Sequence, residues 1–78
     1  MKLDIITPKK MLFSGEVESV TLPGTMGSFT VLEGHAPLIS SLQPKGKIIY
    51  TQDSKKETLP IPRGGFVEVK KNHIIVLA

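Results

Sequence analysis

Apolar residues in this chain never recur at the three- and four-residue spacing of an amphipathic helix over any sustained stretch, and this constrains the fold more than any other feature. They occur instead in short runs separated by glycine, proline and small polar residues, a pattern typical of β-strands. A length of 78 residues leaves room for one domain. We therefore predict an all-β fold, a small β-sandwich of about 8–10 short strands that forms a single domain over residues 1–78.

The links between the runs predict specific local structures. A change of phase within Glu16–Leu22 predicts a β-bulge near Ser19. Pro23–Gly24 suits the centre of a type II turn. Gln52–Lys56 is predicted as a polar hairpin tip, and Asn72 suits a left-handed turn position. The predicted strands are Lys2–Ile6, Leu12–Phe13, Glu16–Leu22, Phe29–Leu32, Lys47–Thr51, Thr58–Ile61, Gly65–Lys70 and His73–Leu77.

Strand residues that alternate with polar neighbours give the predicted core. These residues are Leu3, Ile5, Val17, Phe29, Val31, Ile48, Tyr50, Val67, Val69, Ile74 and Val76.

Composition excludes several functional classes. The net charge is only +3, and the lysines are scattered apart from three pairs at predicted turns, so nucleic-acid binding is not expected. The chain contains no cysteine and therefore no disulfide. It has neither a signal peptide nor an apolar stretch of membrane-spanning length, which predicts a soluble, intracellular protein.

The chemical motifs of enzymes are also missing from the sequence. No Gly-x-Ser-x-Gly elbow is present, and Gly24–Ser28 lacks the lysine and the following helix of a phosphate-binding loop. His35 and His73 are far apart in the sequence and form no local metal motif. Arg63–Gly65 is interpreted as a turn that leads into a strand. We predict no catalytic residue, no metal site and no cofactor, and hence a non-catalytic protein.

Two residues in the glycine-rich turns are candidates for contact with another protein. His35 is either a turn histidine whose ring hydrogen-bonds a nearby carbonyl or a contact residue at an interface. The second interpretation rests on its place after Gly34 and before Ala36–Pro37, where a preorganised turn loses little order on binding. Met26 lies between Thr25 and Gly27 in a turn, where an exposed thioether offers adaptable contact surface.

The segment Phe13–Glu18 (FSGEVE), followed by Gly27–Leu38 (GSFTVLEGHAPL), resembles the epsilon subunit of F-type ATP synthase. Leu42–Ile48, Gly64–Val69 and Ile75–Ala78 match the same family in the same order, so the resemblance covers the whole chain. It implies a β-sandwich fold, which the strand pattern predicts independently.

The resemblance implies a rotor subunit of the central stalk that docks the gamma subunit onto the membrane c-ring and so couples ion translocation to ATP synthesis. Its location would be peripheral, on the cytoplasmic face of a bacterial inner membrane. The chain ends where the family's helical hairpin would begin, so hairpin-based inhibition of ATP hydrolysis and ATP binding are not expected. The implied gamma contacts are Thr7, His35, Ala36, Pro37, Leu38 and Ser40. The implied c-ring contacts are Thr25, Met26, Gly27, Ser28 and Glu33.

An alternative function remains open from the residues alone. A small β-sandwich with exposed sheet edges can bind a ligand or a peptide. That function predicts a defined pocket and tight binding without gamma.

Overall fold

The computed structural model describes all residues, 1–78, and confirms the all-β prediction with nine strands and no helix. None of its segments is a helix with the length and apolarity needed to cross a membrane. The strands are β1 Lys2–Ile6, β2 Met11–Glu16, β3 Ser19–Gly24, β4 Gly27–Leu32, β5 Leu38–Leu42, β6 Gly46–Gln52, β7 Lys55–Ile61, β8 Gly65–Lys70 and β9 His73–Leu77.

The strands form one curled sheet that folds over a single core. Their order is β2-β1-β9-β8-β5-β3-β6-β7, and β4 pairs with the free edge of β3. Strands β5 and β3 meet only at the pair Gly24 and Leu42, which marks the corner between the two layers. All neighbours are antiparallel except β1 and β9, which run parallel, so the first and last strands lie side by side. The first layer consists of β2, β1, β9, β8 and β5, and the second layer of β3, β4, β6 and β7.

The core consists of fourteen buried apolar residues, and alternation predicts ten of them. Phe29 is the one predicted core residue that is not fully buried, since it packs against the core from its edge. Four buried residues were not predicted: Val20, Leu22, Leu42 and Ile61.

Three local predictions are wrong. Glu16–Leu22 is not one bulged strand, because β2 ends at Glu16 and β3 begins at Ser19. This break carries the chain from one layer to the other, and the bulge between β1 and β2 lies opposite Ile5–Ile6 instead. Pro23–Gly24 belongs to β3, so the turn falls at Thr25–Met26. No strand was predicted over β5.

The other turn predictions are confirmed. Asn72 has a φ of 56°, the left-handed conformation that asparagine tolerates. Asp53 and Ser54, at the centre of the predicted polar tip, have φ values of 52° and 65° and connect β6 to β7 in a two-residue loop. Positive φ at both loop residues is the signature of a type I′ turn, whose twist matches that of the flanking strands.

Candidate protein interface

The loops cluster at two opposite ends of the domain. One end, the Met26 end, holds the loops 25–26, 43–45, 62–64 and 7–10. The other end, the His35 end, holds the loops 33–37, 53–54 and 71–72. Each end therefore offers a surface made of several loops, with the sheet between them.

The tip of the β3–β4 hairpin is a rigid projection at the Met26 end. Met26 is 98% exposed, which confirms the expectation from its turn position. Thr25 holds the tip against β5, because its amide donates to the Ser41 carbonyl at 3.0 Å and the two hydroxyls lie 2.6 Å apart. The Gln43 side-chain Nε2 also donates to the Thr25 carbonyl at 3.3 Å. The exposed thioether thus stands on a fixed base.

The His35 end presents a turn with a restrained histidine. The His35 amide donates to the Leu32 carbonyl at 3.1 Å, and Gly34 takes a φ of 86° that few other residues adopt. The ring Nδ1 lies 2.7 Å from the Ala36 carbonyl oxygen. Since a carbonyl only accepts, Nδ1 carries the proton and donates to it. This is the local hydrogen bond of the first interpretation of His35, and it leaves Nε2 free for a partner.

The residues predicted to face the c-ring do not form one cluster. Thr25, Met26, Gly27 and Ser28 lie together at the hairpin tip, whereas Glu33 follows the other end of β4. Five residues along a strand separate Glu33 from Ser28, a distance of about 17 Å. Glu33 therefore neighbours His35, and the hairpin tip has no carboxylate of its own.

The residues predicted to face gamma are also divided. Thr7 lies at the Met26 end, and its hydroxyl is engaged in the β1–β2 turn, where it donates to the Lys10 carbonyl and accepts from the Lys10 amide. His35, Ala36 and Pro37 lie at the opposite end. Leu38 packs against the core, and Ser40 shares its side of β5 because strand residues alternate between faces. The exposed apolar residue of this strand is Ile39 instead, at 74% exposure.

Sequence reasoning missed an apolar patch on the outer face of the first layer. This patch lies between Thr7 at one end of the domain and His35–Pro37 at the other. Its exposed members are Ile39, Phe66, Leu77 and Met11, and Leu77 pairs with both Phe66 and Ile6 on neighbouring strands. Ile75 lies one row further on, between Glu68 and Asp4. The sequence contained a signal for this patch, because β9 (HIIVL) has apolar residues on both of its faces. Strands of this kind are usually covered by other structure on both faces.

A polar cluster lies within the same outer face. The Ser14 hydroxyl donates to Asp4 Oδ1 at 2.6 Å, and His73 Nε2 lies 2.8 Å from Asp4 Oδ2. These two hydrogen bonds, with Ser14 contributing most, lower the pKa of Asp4 below its usual value of 3.8. The carboxylate stands between the serine and the histidine, so the two do not form the nucleophile–base pair that hydrolysis requires. The cluster fixes β1 between β2 and β9.

The remaining acidic and histidine side chains do not gather at one place. No group of three or more His, Asp or Glu side chains is close enough to hold a metal ion. Burial raises the pKa of Tyr50, and the Glu57 carboxylate adds to this effect. The tyrosine ring packs on Phe13 with 4.4 Å between ring centroids, which makes it part of the core. The exposed features that remain are the Met26 end, the His35 end and the apolar patch on the outer face.

Comparison with solved structures finds the same β-sandwich fold in chains of two other proteins. A chain in the mitochondrial ATP synthase of Euglena gracilis, solved as OSCP/F1/c-ring, superposes with a TM-score of 0.88 at 24% identity, over 97% of this chain and 48% of that chain. A chain from the central stalk/c-ring of the Tetrahymena thermophila mitochondrial ATP synthase superposes with a TM-score of 0.80 at 17% identity, over 99% of this chain and 61% of that chain. At these identities the likeness establishes the fold.

Sequence comparison identifies the family. Residues 1–78 match the family described as ATP synthase, Delta/Epsilon chain, beta-sandwich domain. The ATP synthase epsilon chain of Chlorobium limicola is 47% identical over 76 residues, which are 97% of this chain and 85% of that relative. That of Chlorobaculum tepidum is 49% identical over 96% of this chain and 84% of the relative. The chain belongs to this family, whose curated relatives are named as a subunit of ATP synthase and not as an enzyme in its own right, as the resemblance implied.

Relatives in this family differ in length. Since 76 residues are 85% of the Chlorobium limicola chain, that chain has about 89 residues. The ATP synthase epsilon chain of Afipia carboxidovorans is 45% identical over 75 residues, which are only 54% of it, so it has about 139 residues. The described domain is the part that short and long relatives share.

Proposed function

We propose that this domain is a central-stalk rotor subunit that docks gamma onto the c-ring and so couples ion translocation to ATP synthesis. Its place is at the periphery of the membrane, on the cytoplasmic face of a bacterial inner membrane. Family membership supports this role, and the exposed outer face supports the docking step. Hairpin-based inhibition and ATP binding are not proposed, because relatives of about 89 residues bear the same name.

The outer face of the first layer is the surface we assign to gamma. Ile39, Phe66 and Leu77 are each more than half exposed on one continuous face, and an exposed apolar patch on a soluble domain marks an interaction site. This patch is the single observation that carries the docking proposal. His35, Ala36 and Pro37 form one border of the surface, and His35 Nε2 is free to hydrogen-bond gamma. Thr7 lies at the opposite border.

An Ile39→Lys variant tests this assignment. Ile39 pairs with Glu68 across the strands, so the fold tolerates the new lysine, whereas docking would bury its charge. We expect a loss of about 2 kcal/mol or more in binding to the cognate gamma, roughly 30-fold in Kd, measured by isothermal titration calorimetry. Thr58→Lys, at an exposed position on β7 in the other layer, is the matched control. Equal affinity of both variants would show that gamma binds elsewhere.

The Met26 end is the surface we assign to the c-ring. It has an exposed thioether on a rigid hairpin tip, and the loops around it contribute four basic residues but no acidic one. The basic residues are Lys9, Lys10, Lys45 and Arg63. The contact proposed here is apolar, with hydrogen bonds from Thr25 and Ser28. An ion pair from Glu33 is not part of it, since Glu33 lies at the other end.

Salt dependence and two substitutions test the ring contact. Capture of detergent-solubilised c-ring by the domain bound to gamma should not weaken as NaCl rises from about 0.05 to 0.5 M, because screening weakens only attraction between opposite charges. Met26→Ser should reduce capture, and Glu33→Gln should leave it unchanged. Capture that falls with salt and is lost in Glu33→Gln would instead establish an ion pair.

A further inference from the structure

A cleft of about 420 Å³ opens at the Met26 end, between the β1–β2 loop and the loop that connects β7 to β8. Its size lies in the range of small-molecule sites, roughly 300–1,000 Å³. None of the predicted docking residues except Thr7 lines it. It adjoins the surface assigned to gamma at Thr7 and lies at the end assigned to the c-ring, but Ile39, Phe66 and Leu77 do not line it.

The walls of the cleft are rigid. Pro8, Pro60 and Pro62 line it, and each proline ring fixes its own φ. Backbone hydrogen bonds hold the loops, since the Gly64 amide donates to Ile61 and the Lys45 amide donates to Pro62, both at 2.9 Å. A preformed cleft loses little conformational entropy when a ligand binds.

The lining combines an apolar surface with unpaired positive charge. Leu12 and the prolines provide the apolar part, whereas Lys9 and Arg63 provide two cationic groups. No aspartate or glutamate side chain lines the cleft, and neither cation takes part in an ion pair. Ala78, the last residue of the given sequence, also lines it. A ligand with an alkyl chain and a single anionic head complements both parts. A guanidinium binds a carboxylate through two parallel hydrogen bonds.

We propose that this cleft binds an aliphatic carboxylate of the fatty-acid type. The alkyl chain lies against Leu12 and the prolines, and the carboxylate accepts hydrogen bonds from Arg63 and Lys9. The site is one of recognition, and no covalent step is involved.

Titration of the chain with octanoate and with 1-octanol, followed by ¹H–¹⁵N correlation spectra, tests the proposal. We expect saturable shifts confined to residues 7–12 and 60–64, and an affinity for octanoate at least tenfold above that for the alcohol. Shifts centred on Ile39, Phe66 and Leu77 would overturn the proposal, because they would show unspecific adhesion to the outer face. Equal affinity for acid and alcohol would also overturn it.

Charge removal separates recognition of the head from burial of the alkyl chain. In a Lys9→Gln/Arg63→Gln double variant, the tenfold preference for octanoate should disappear while the affinity for octanol stays the same. Lys55→Gln/Lys56→Gln on β7 is the matched control, and it should keep the preference. If the first variant keeps the preference or the control loses it, the carboxylate is not recognised at this cleft. Both outcomes are independent of binding to gamma.

Discussion

At the scale of single residues, Asp4 couples the protonation of one carboxylate to the stability of the sheet. Hydrogen bonds from Ser14 and His73 lower its pKa in the folded state below 3.8. A carboxyl group whose pKa is lower in the folded state than in the unfolded state stabilises the fold at pH values above its unfolded-state pKa. This stabilisation is lost as the pH falls towards its folded-state pKa. Asp4 therefore contributes fully at neutral pH and progressively less below about pH 4.

Acid titration of Asp4→Asn measures this coupling. We expect the free energy of unfolding of the unmodified chain to fall more steeply between about pH 5 and 2 than that of the variant, in urea denaturation series at each pH. Glu33→Gln, which removes an exposed carboxylate without such hydrogen bonds, should retain the steep fall. If the free energies of unfolding of Asp4→Asn and of the unmodified chain fall equally with pH, Asp4 is not the group that causes the loss of stability in acid.

At the scale of elements, the β6–β7 hairpin holds a serine in a backbone conformation that is unfavourable for residues other than glycine. Ser54 has a φ of 65°, and a left-handed conformation costs an ordinary L-residue about 1–2 kcal/mol. The Glu18 carboxylate accepts hydrogen bonds from the amides of Asp53 and Ser54, at 3.2 and 3.0 Å, and helps to hold the turn. The amide bonds do not require a side chain at position 54.

Replacing Ser54 by glycine should stabilise the domain by up to about 1 kcal/mol, because glycine adopts positive φ without strain. The free energy of unfolding in urea is the quantity to measure. Lys71→Gly serves as the control, since Lys71 is also an exposed turn residue but is not among those with positive φ. There glycine should destabilise by roughly 0.5–1 kcal/mol, through the greater freedom of the unfolded chain. Two changes of the same sign would contradict the strain argument.

The elements also show how far sequence reasoning reaches. Alternation correctly assigned Leu3, Ile5, Val67 and Val69 to the core, because such residues repeat every second position against polar or exposed neighbours. It missed Val20 and Leu22 because a single strand was predicted over 16–22, where the chain in fact passes from one layer to the other. Alternation counted from Val17 therefore did not show which face of the new strand is buried. The alternation of apolar and polar residues within a segment shows neither where the chain passes from one layer to the other nor the order in which the strands pair.

The candidate site was predictable in part. Local chemistry correctly indicated an exposed Met26, since a turn flanked by a glycine leaves its side chain in solvent. It could not indicate that Glu33 and Met26 lie at opposite ends, because that depends on the length of β4. Nor could it group Ile39, Phe66 and Leu77, which come from three strands that only the sheet order makes neighbours.

At the scale of the whole molecule, the last strand lies in the middle of a layer. β9 separates β1 from β8 and supplies Ile74 and Val76 to the core, both essentially inaccessible to solvent. Without it, β1 and β2 lose their connection to the rest of the sheet. Its removal therefore affects every strand of the first layer, unlike the loss of an edge strand.

A chain that ends at Asn72 should not fold. The loss of two buried side chains alone costs about 2–5 kcal/mol each for comparable truncations, against a total stability of roughly 4–12 kcal/mol for a domain of this size. The dispersion of amide resonances in a ¹H–¹⁵N correlation spectrum measures this, and we expect the truncated chain to lack it. Addition of a synthetic peptide of residues 73–78 should restore the dispersion, which would show that the strand itself is required. A well-dispersed spectrum without the peptide would contradict this view of the architecture.

The position of β9 also governs when the domain can form during biosynthesis. Strand β1 is translated before the other eight strands, yet its parallel neighbour β9 is the last of the nine, so β1 waits until the residues up to Leu77 have been translated. At roughly 5–20 residues per second this wait lasts several seconds. Throughout it, β1 has its partner β2 but not β9. A chaperone that binds a growing polypeptide has that interval in which to act.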